Sequence, residues 1–392
     1  MKKYLISPFY LYIITFLSIF LIYNLGWSRL YPPLSFGLVA FFMLSFFIAF
    51  FFAALQTRVK PFKNVAIKES PYSTAVVLLI VLSFGIEFIN NRGIPLFLIL
   101  GKADYDYAKF GIKLFHPILA TFTSFYAVYL FHQFISVKKL KIFLLFIITI
   151  SMHILVYNRG AFIMVLTSSV FVFLCSIKRI KFKIYVYLFI IIAFLLFLFG
   201  IAGNLRISSG KTTKTNEFIT STLPNSYFLN SKIPHEYMWS YIYISSPLAN
   251  LQNTILKDKS IEANYKAFIC YELLPDFFSK KLVPILNTKE EKPILITKWL
   301  TAVSLFTGAY STLGWFGLYF MFIYLMFILT VYIGLLKKQN DFFVTGFAIL
   351  NTFVVYNAFD NMIFFSGLSF QLIYPLIHMY FFSKKNKVTH KI

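Results

Sequence analysis

Acidic side chains are scarce: 14 Asp and Glu stand against 37 Lys and Arg in 392 residues, and charged residues of both signs make up only 13%. A soluble domain carries roughly twice that share, so an ordinary water-exposed surface is excluded. The 2 cysteines, Cys175 in an apolar run and Cys270 in a polar stretch, cannot make a disulfide framework. No Cys/His metal spacing, Walker loop, dinucleotide-binding glycine pattern, nucleophile elbow or HExxH motif occurs. Direct use of a nucleotide is therefore not expected. Nor is there a continuous polar domain that interleaves basic and aromatic residues, so the net charge of +23 does not signal nucleic acid.

What the chain has instead is hydrocarbon: 59% hydrophobic residues, 51 of them Phe, and a mean hydropathy of +0.75. This composition predicts an all-α polytopic membrane protein, with the Phe content as lipid-facing filler. Apolar runs long enough to cross about 30 Å of hydrocarbon as helices fall near Tyr4–Tyr23, Leu34–Leu55, Ser73–Asn90, Leu114–Ser136, Leu140–Tyr157, Gly160–Ile177, Ile184–Gly203, Trp315–Leu336, Phe342–Asn357 and Met362–Phe382. That makes about ten spans. The first follows Met1-Lys2-Lys3 but lacks a small-x-small cleavage site, so it is expected to stay as a span.

Between them lies one long polar stretch. The expected organisation is a bundle over 1–203, a large extracytoplasmic loop over 204–298 and a second bundle with its tail over 299–392. Lysines and arginines cluster in alternate connections, at Lys2 and Lys3, Arg58 to Lys68, Lys138 to Lys141, Lys178 to Lys183, Lys337 and Lys338, and Lys384 to Lys391. The opposite short loops hold only Arg29, Arg92, Lys102, Lys109, Lys113 and Arg159. Because positive residues are retained inside, both termini are expected in the cytoplasm and the long loop outside. Of the acids, only Glu69 and Asp341 fall on the cytoplasmic side of that topology, so polar chemistry gathers on the outer face. Within the loop, Ile261, Tyr265, Phe268 and Ile269 recur at helical spacing until Pro275, marking a helix on the membrane surface or a small packed one.

Candidate site residues are the polar ones at that outer depth. Arg159, in the short turn Tyr157-Asn158-Arg159-Gly160-Ala161, and Arg206, just past the seventh span, are suited to a bidentate clamp on a diphosphate. Each is equally readable as a snorkelling or helix-ending cation. His235 and Glu236 form a titratable pair beside Tyr237 and Trp239, fit to take a proton from a sugar hydroxyl. A histidine bonded to backbone is the plainer alternative. Asp104 and Asp106 lie in an outer loop with Arg92, Lys109, Lys113 and His116 around them. Paired carboxylates can divide acid and base duties, and a solvated mixed-charge loop looks the same. Glu87 and Asp360 sit near outer helix ends, where carboxylates face cavities more often than lipid.

The strings NRGAF at 158–162, GNLR at 203–206, YISSPLANL at 243–251 and TGAYSTLGWFG at 307–317 resemble the Wzy-type O-antigen polymerases, as does the plan of many spans around one large outer loop. No arginine here is followed by glycine eleven positions on, so the Arg-x10-Gly pattern of some members is missing. The resemblance implies a membrane glycosyltransferase that joins undecaprenyl-diphosphate-linked oligosaccharide repeat units into O-antigen or capsular polysaccharide at the outer face of the inner membrane. It implies Arg159 and Arg206 as contacts to the lipid diphosphate and Tyr310 and Gly314 in the turn before a span. It also implies no cofactor and no metal, and a chain-length regulator and a flippase as partners beside the bilayer. An O-antigen ligase shares the layout and donor and would suit His235. A transporter of the same units is the reading from another class, against which stand the long loop and the lack of matched broken helices.

Overall fold

The computed structural model describes residues 6–59, 66–101, 110–177, 182–208, 218, 220–257, 261–336 and 340–382. These residues are all-helical, and their one β feature is an isolated bridge between Ser28 and Pro224. The helices are α1 (Pro8–Tyr23), α2 (Phe36–Val59), α3 (Ser73–Asn90), α4 (Pro95–Leu100), α5 (Phe115–Val137), α6 (Leu140–Leu155), α7 (Arg159–Ser176) and α8 (Phe182–Ser208), then α9 (Tyr237–Lys257), α10 (Asp276–Leu286), α11 (Leu305–Leu335), α12 (Phe343–Tyr356) and α13 (Ile373–Phe382). Five of them, α2, α3, α5, α7 and α11, are long and apolar enough to cross a membrane. Pro8–Tyr23, Leu140–Leu155, Ile190–Asn204, Phe343–Tyr356 and Ser366–Ile377 are shorter apolar helices.

Local chemistry sets the boundaries. Pro8 opens α1 because its fixed φ suits a first helical position and its missing N–H costs nothing there. Asn158 caps α7 by accepting the Ala161 N–H at 3.0 Å. The span expected at Met362 starts late, because Asn361 Oδ1 takes the N–H groups of Ile363 and Phe364 and Asp276 takes that of Ser366. These bonds hold the chain in a polar turn through Phe365, and helical turns begin only at Ser366.

The bundle is joined by aromatic packing and by polar side chains that bond across helices. Ser73 donates to Gln133 at 3.0 Å, Ser168 meets Thr352 at 2.8 Å, Ser124 meets His153 at 2.9 Å, and Tyr12 donates to Ser45 at 2.9 Å. The phenylalanines need a correction. Phe9, Phe41, Phe84, Phe306, Phe347 and Phe353 are among the largest fully buried side chains, while residues such as Phe47 and Phe51 point outward. Tyr12, Phe16, Phe41, Phe42, Phe306 and Phe322 pack ring on ring where α1, α2 and α11 meet.

The 204–298 stretch is not a plain loop. It holds α9, which is buried along most of its length despite its serines and asparagines. Those polar groups are satisfied by neighbouring backbone: Tyr237 donates to the Ala193 carbonyl at 3.2 Å, Ser240 to Leu196 at 2.9 Å, Asn250 to Leu300 at 2.7 Å and Ala302 at 2.8 Å, and Asn253 to Ile294 at 2.8 Å. Low hydropathy concealed a helix that burial can hold because most of its polar groups are paired, the Tyr241 and Ser246 hydroxyls and Gln252 Nε2 being the exceptions. We call the end of the bundle that carries this stretch the loop end, and the end with the lysine clusters the basic end.

Candidate functional site

The site is built where three pieces of chain converge at the loop end. The first runs from Asn264 to Pro275. Asn264 accepts the Ala267 N–H at 3.0 Å, starting the short turn Tyr265–Phe268, and its own N–H donates to the Thr312 carbonyl at 3.0 Å. The turn widens into a π-helical segment, Ile269–Leu273, which stops as Leu274 takes the extended conformation required before Pro275. Single π turns of this kind are frequent at functional sites.

The second piece is the start of α11. Ser304 and Thr307 form a capping box, and the Leu305 N–H donates to the Asn357 carbonyl at 2.9 Å. This helical segment breaks at Gly314, whose φ of 61° and ψ of −144° no side chain tolerates readily. The chain doubles back so closely that a Cβ on Gly317 would lie 2.0 Å from the Ala309 carbonyl oxygen. The third piece is the connection from Asn357 to Ser366.

Glu272 stands in the middle, only 7% exposed. Its Oε2 accepts from Asn361 Nδ2 at 3.0 Å, and the same amide nitrogen reaches the Glu272 carbonyl at 3.0 Å. Its other oxygen lies against Gly308, where a Cβ would come within 2.1 Å of Oε1. No cation pairs with it among the described residues. Burial pushes its carboxyl up to about 8, the Asn361 amide opposes this, and the charges of Glu290 and Asp360 add to it. At neutral pH Glu272 is mostly a neutral acid.

Asp276, four residues on, is tuned the other way. Burial would raise it, but Lys280 at 2.6 Å, the Ser366 hydroxyl and the Ser366 N–H at 3.1 Å together hold it below the ordinary carboxylate range. Two carboxyls whose surroundings push them apart are the usual arrangement of an acid and base pair. Asp360 keeps access to solvent, yet crowding by its neighbours raises it, against the Asn361 N–H and with the Glu290 charge.

Arg159 is the first residue of α7, exposed, with its guanidinium 4.3 Å from the centroid of the Tyr157 ring. Thr167 meets Tyr356 at 3.2 Å, which ties α7 to α12 and puts Arg159 and Asp360 at the same end of that helix pair. Arg206 belongs to the last turn of α8, and its side chain lies outside the described ones. It stands on a helix that leans on α9, whereas α7 leans on α5 and α12, so the helices that carry the two arginines have different neighbours.

His235 is exposed, its ring 5.7 Å from that of Phe228, and Glu236 is half-buried with its carbonyl against Gly200. Both precede α9, a helix of 21 residues and thus roughly 30 Å, whose far end leads toward Glu272. They are not gathered with Glu272, Asp276 and Asp360. Asp104 and Asp106 lie outside the described residues. Arg92 and Lys113 are exposed, and His116 Nδ1 meets the buried Glu87 Oε2 at 2.8 Å. Tyr310 is buried, edge-on to Trp315 at 5.7 Å.

Sequence reasoning passed over Glu272, although a signal existed. It is the lone charge in the apolar string from Ala267 to Leu274, and a carboxyl in such company must be buried, neutral or paired. At the start of the same segment, a cleft of about 440 Å³ opens between Glu262, Ala263, Asn264, Tyr265, Lys266 and Glu291, with three charged side chains and one exposed aromatic ring; Glu272 does not line it. Among the described residues no group of His, Cys, Asp and Glu is arranged to hold a metal ion. No family model, curated protein or solved structure matches the chain.

Proposed function

We propose that this chain is a polymerase of lipid-linked oligosaccharides, joining undecaprenyl-diphosphate-linked repeat units into O-antigen or capsular polysaccharide. In this reading ten apolar helices cross the inner membrane, both termini are cytoplasmic, and the loop end faces out. The observation that carries the proposal is Glu272, a buried carboxyl with no paired cation among the described residues, whose proton affinity is poised near 8 at the end where Arg159 stands. A base tuned close to the working pH is what transfer to a sugar hydroxyl needs.

The acceptor hydroxyl attacks the anomeric carbon of the donor glycan, and the bond from that carbon to the diphosphate oxygen breaks. The proton passes to the Glu272 carboxylate and the electron pair leaves with the diphosphate, which the Arg159 guanidinium receives. Tyr265 and the polar rim of the neighbouring cleft suit the acceptor sugar. The donor is already activated, so the step asks for no nucleotide.

A second reading, a carrier of the same units, is favoured by the broken helix at Gly314, since discontinuous helices often surround a transporter's site. Purified protein in detergent with lipid-linked repeat units separates the two. A polymerase lengthens glycans there, and a carrier, with no membrane to cross, does not. Chain growth that persists unchanged in Glu272→Gln would remove the proposed base.

A further inference from the structure

We propose that α10 is an interfacial helix, lying along the bilayer surface at the loop end with one apolar edge sunk to the level where acyl chains meet phosphates. Its partner is the lipid surface itself. The inference needs only that the chain sits in a bilayer, and it stands apart from the proposed reaction.

At 3.6 residues per turn the 11 residues of α10, a helix about 16 Å long, divide into three edges. Ser279 is buried and Val283 and Leu286, on the same side, are half-buried, so this edge rests on the protein. Phe278, Leu282 and Ile285 follow one another at i, i+4 and i+7 along a second edge, on which Phe278 is 48% and Ile285 75% exposed. The third edge is polar. It carries the exposed Lys280, bonded to Asp276 at 2.6 Å, and the exposed Pro284. Lys281 stands between the apolar edge and the polar one, exposed, with its Nζ 5.4 Å from the centroid of the Phe277 ring. One edge for the protein, one for hydrocarbon and one for water, with a lysine at the border of the last two, is the arrangement of a helix that lies in the plane of a membrane surface.

The height of α10 is set by what fastens it. The Asp276 N–H donates to the Phe364 carbonyl at 2.7 Å, and the Ser366 N–H at 3.1 Å and the Ser366 hydroxyl both donate to the Asp276 carboxylate. Phe277 and Phe278 pack on Phe370, ring centroids 5.4 and 5.9 Å apart. Ser366 and Phe370 lie in the first turns of the apolar helix Ser366–Ile377, so α10 is moored at the loop end of that helix, where its hydrocarbon-compatible stretch begins. Ile373, one turn on from Phe370, and Ile377 are exposed. Lipid that covers these isoleucines meets Phe278 next, and the apolar edge of α10 continues the surface they start. An exposed apolar edge continuous with a lipid-facing helix is covered by the same lipid.

The test is spin labelling of the full chain in nanodiscs of phosphatidylethanolamine and phosphatidylglycerol. Cys175 and Cys270 are both buried, so a cysteine introduced on α10 is the reactive one, and any label taken up by the unsubstituted chain is subtracted. Ile285→Cys and Lys280→Cys, both at exposed positions where a substitution disturbs no packing, each carry a nitroxide. Its relaxation by oxygen, which concentrates in lipid, is compared with its relaxation by a water-soluble nickel chelate. The oxygen-to-nickel ratio is expected to be severalfold higher at 285 than at 280. Equal ratios at the two positions would overturn the proposal. So would dipolar broadening of the 285 spectrum that dilution with unlabelled chain abolishes, because a second copy of the chain then covers the apolar edge.

Discussion

Glu87 and Glu272 are both buried at the loop end, and their surroundings could hardly differ more. Glu87, fully buried, is met by His116 at 2.8 Å and by the Ile112 N–H at 3.3 Å, so a group able to carry positive charge and a backbone dipole share its load. Glu272 has one neutral amide and, instead of a cation, two carboxylates nearby. The first arrangement fastens α3 to the start of α5. The second leaves a proton loosely decided, which suits chemistry better than fastening. Burial alone does not mark a functional carboxyl; the company it keeps does.

The largest expected effect sharpens this contrast. Glu272→Gln keeps the shape and the Asn361 bond, so it is expected to cut chain growth by about 10²- to 10⁴-fold with the protein still folded, the usual cost of losing a base. Glu87→Gln is expected to leave turnover nearly intact. If the two variants exchanged these outcomes in a detergent assay, the comparison would be inverted.

Acidity offers the next break. The folded Glu272 holds its proton to about pH 8, against 4.5 for an ordinary glutamate. As pH rises through that window the unfolded chain gives up the proton first, so stability is expected to fall from about pH 4.5 to about pH 8 and to level off above. The whole loss is at most about 5 kcal/mol. Melting curves of Glu272→Gln should lack this slope, and a wild-type curve equally flat would show that Glu272 is charged. Turnover, by contrast, is expected to climb with pH until about 8 as the base form appears.

Smaller effects follow. Glu87→Gln is expected to lower stability by about 1 to 3 kcal/mol, because His116 keeps a partner but loses its charge. Gly308→Ala would drive a methyl into the Glu272 carboxyl, costing about 1 to 3 kcal/mol in the wild type and less beside Glu272→Ala. Thermal denaturation of the double variant reads that difference. At the basic end, Lys139→Ala breaks an exposed pair with Glu69 at 2.7 Å and is expected to leave the melting temperature unmoved.

The apolar runs were legible because a hydrocarbon span needs a long uninterrupted string, and α2, α3, α5 and α7 start within two residues of where hydropathy puts them. The resemblance put Tyr310 and Gly314 together in a turn before the span: Gly314 does break the chain there, but Tyr310 is already helical, in the segment that starts at Leu305. α9 was not legible. Its Ser245, Ser246, Asn250 and Asn253 look like solvent-facing residues until the carbonyls of 300, 302 and 294 are placed beside the two asparagines. The importance of Glu272 was hidden for the same reason: the amide that holds it arrives from Asn361, 89 residues later, and local pattern carries no such information.

The way α9 is seated bears on how specificity can be exchanged between proteins of this build. Tyr31 donates to the Ile242 carbonyl, the Ser35 N–H donates to Gln252, and α8 takes Tyr237 and Ser240, so this helix is plugged into sockets that lie outside its own stretch of sequence. A chimera spliced at Asn204 and Lys298 would import the plug without the sockets. Even the shorter 261–293 would need its partners moved with it, since Thr312 takes the Asn264 N–H, Asn361 holds Glu272 and Ser366 holds Asp276.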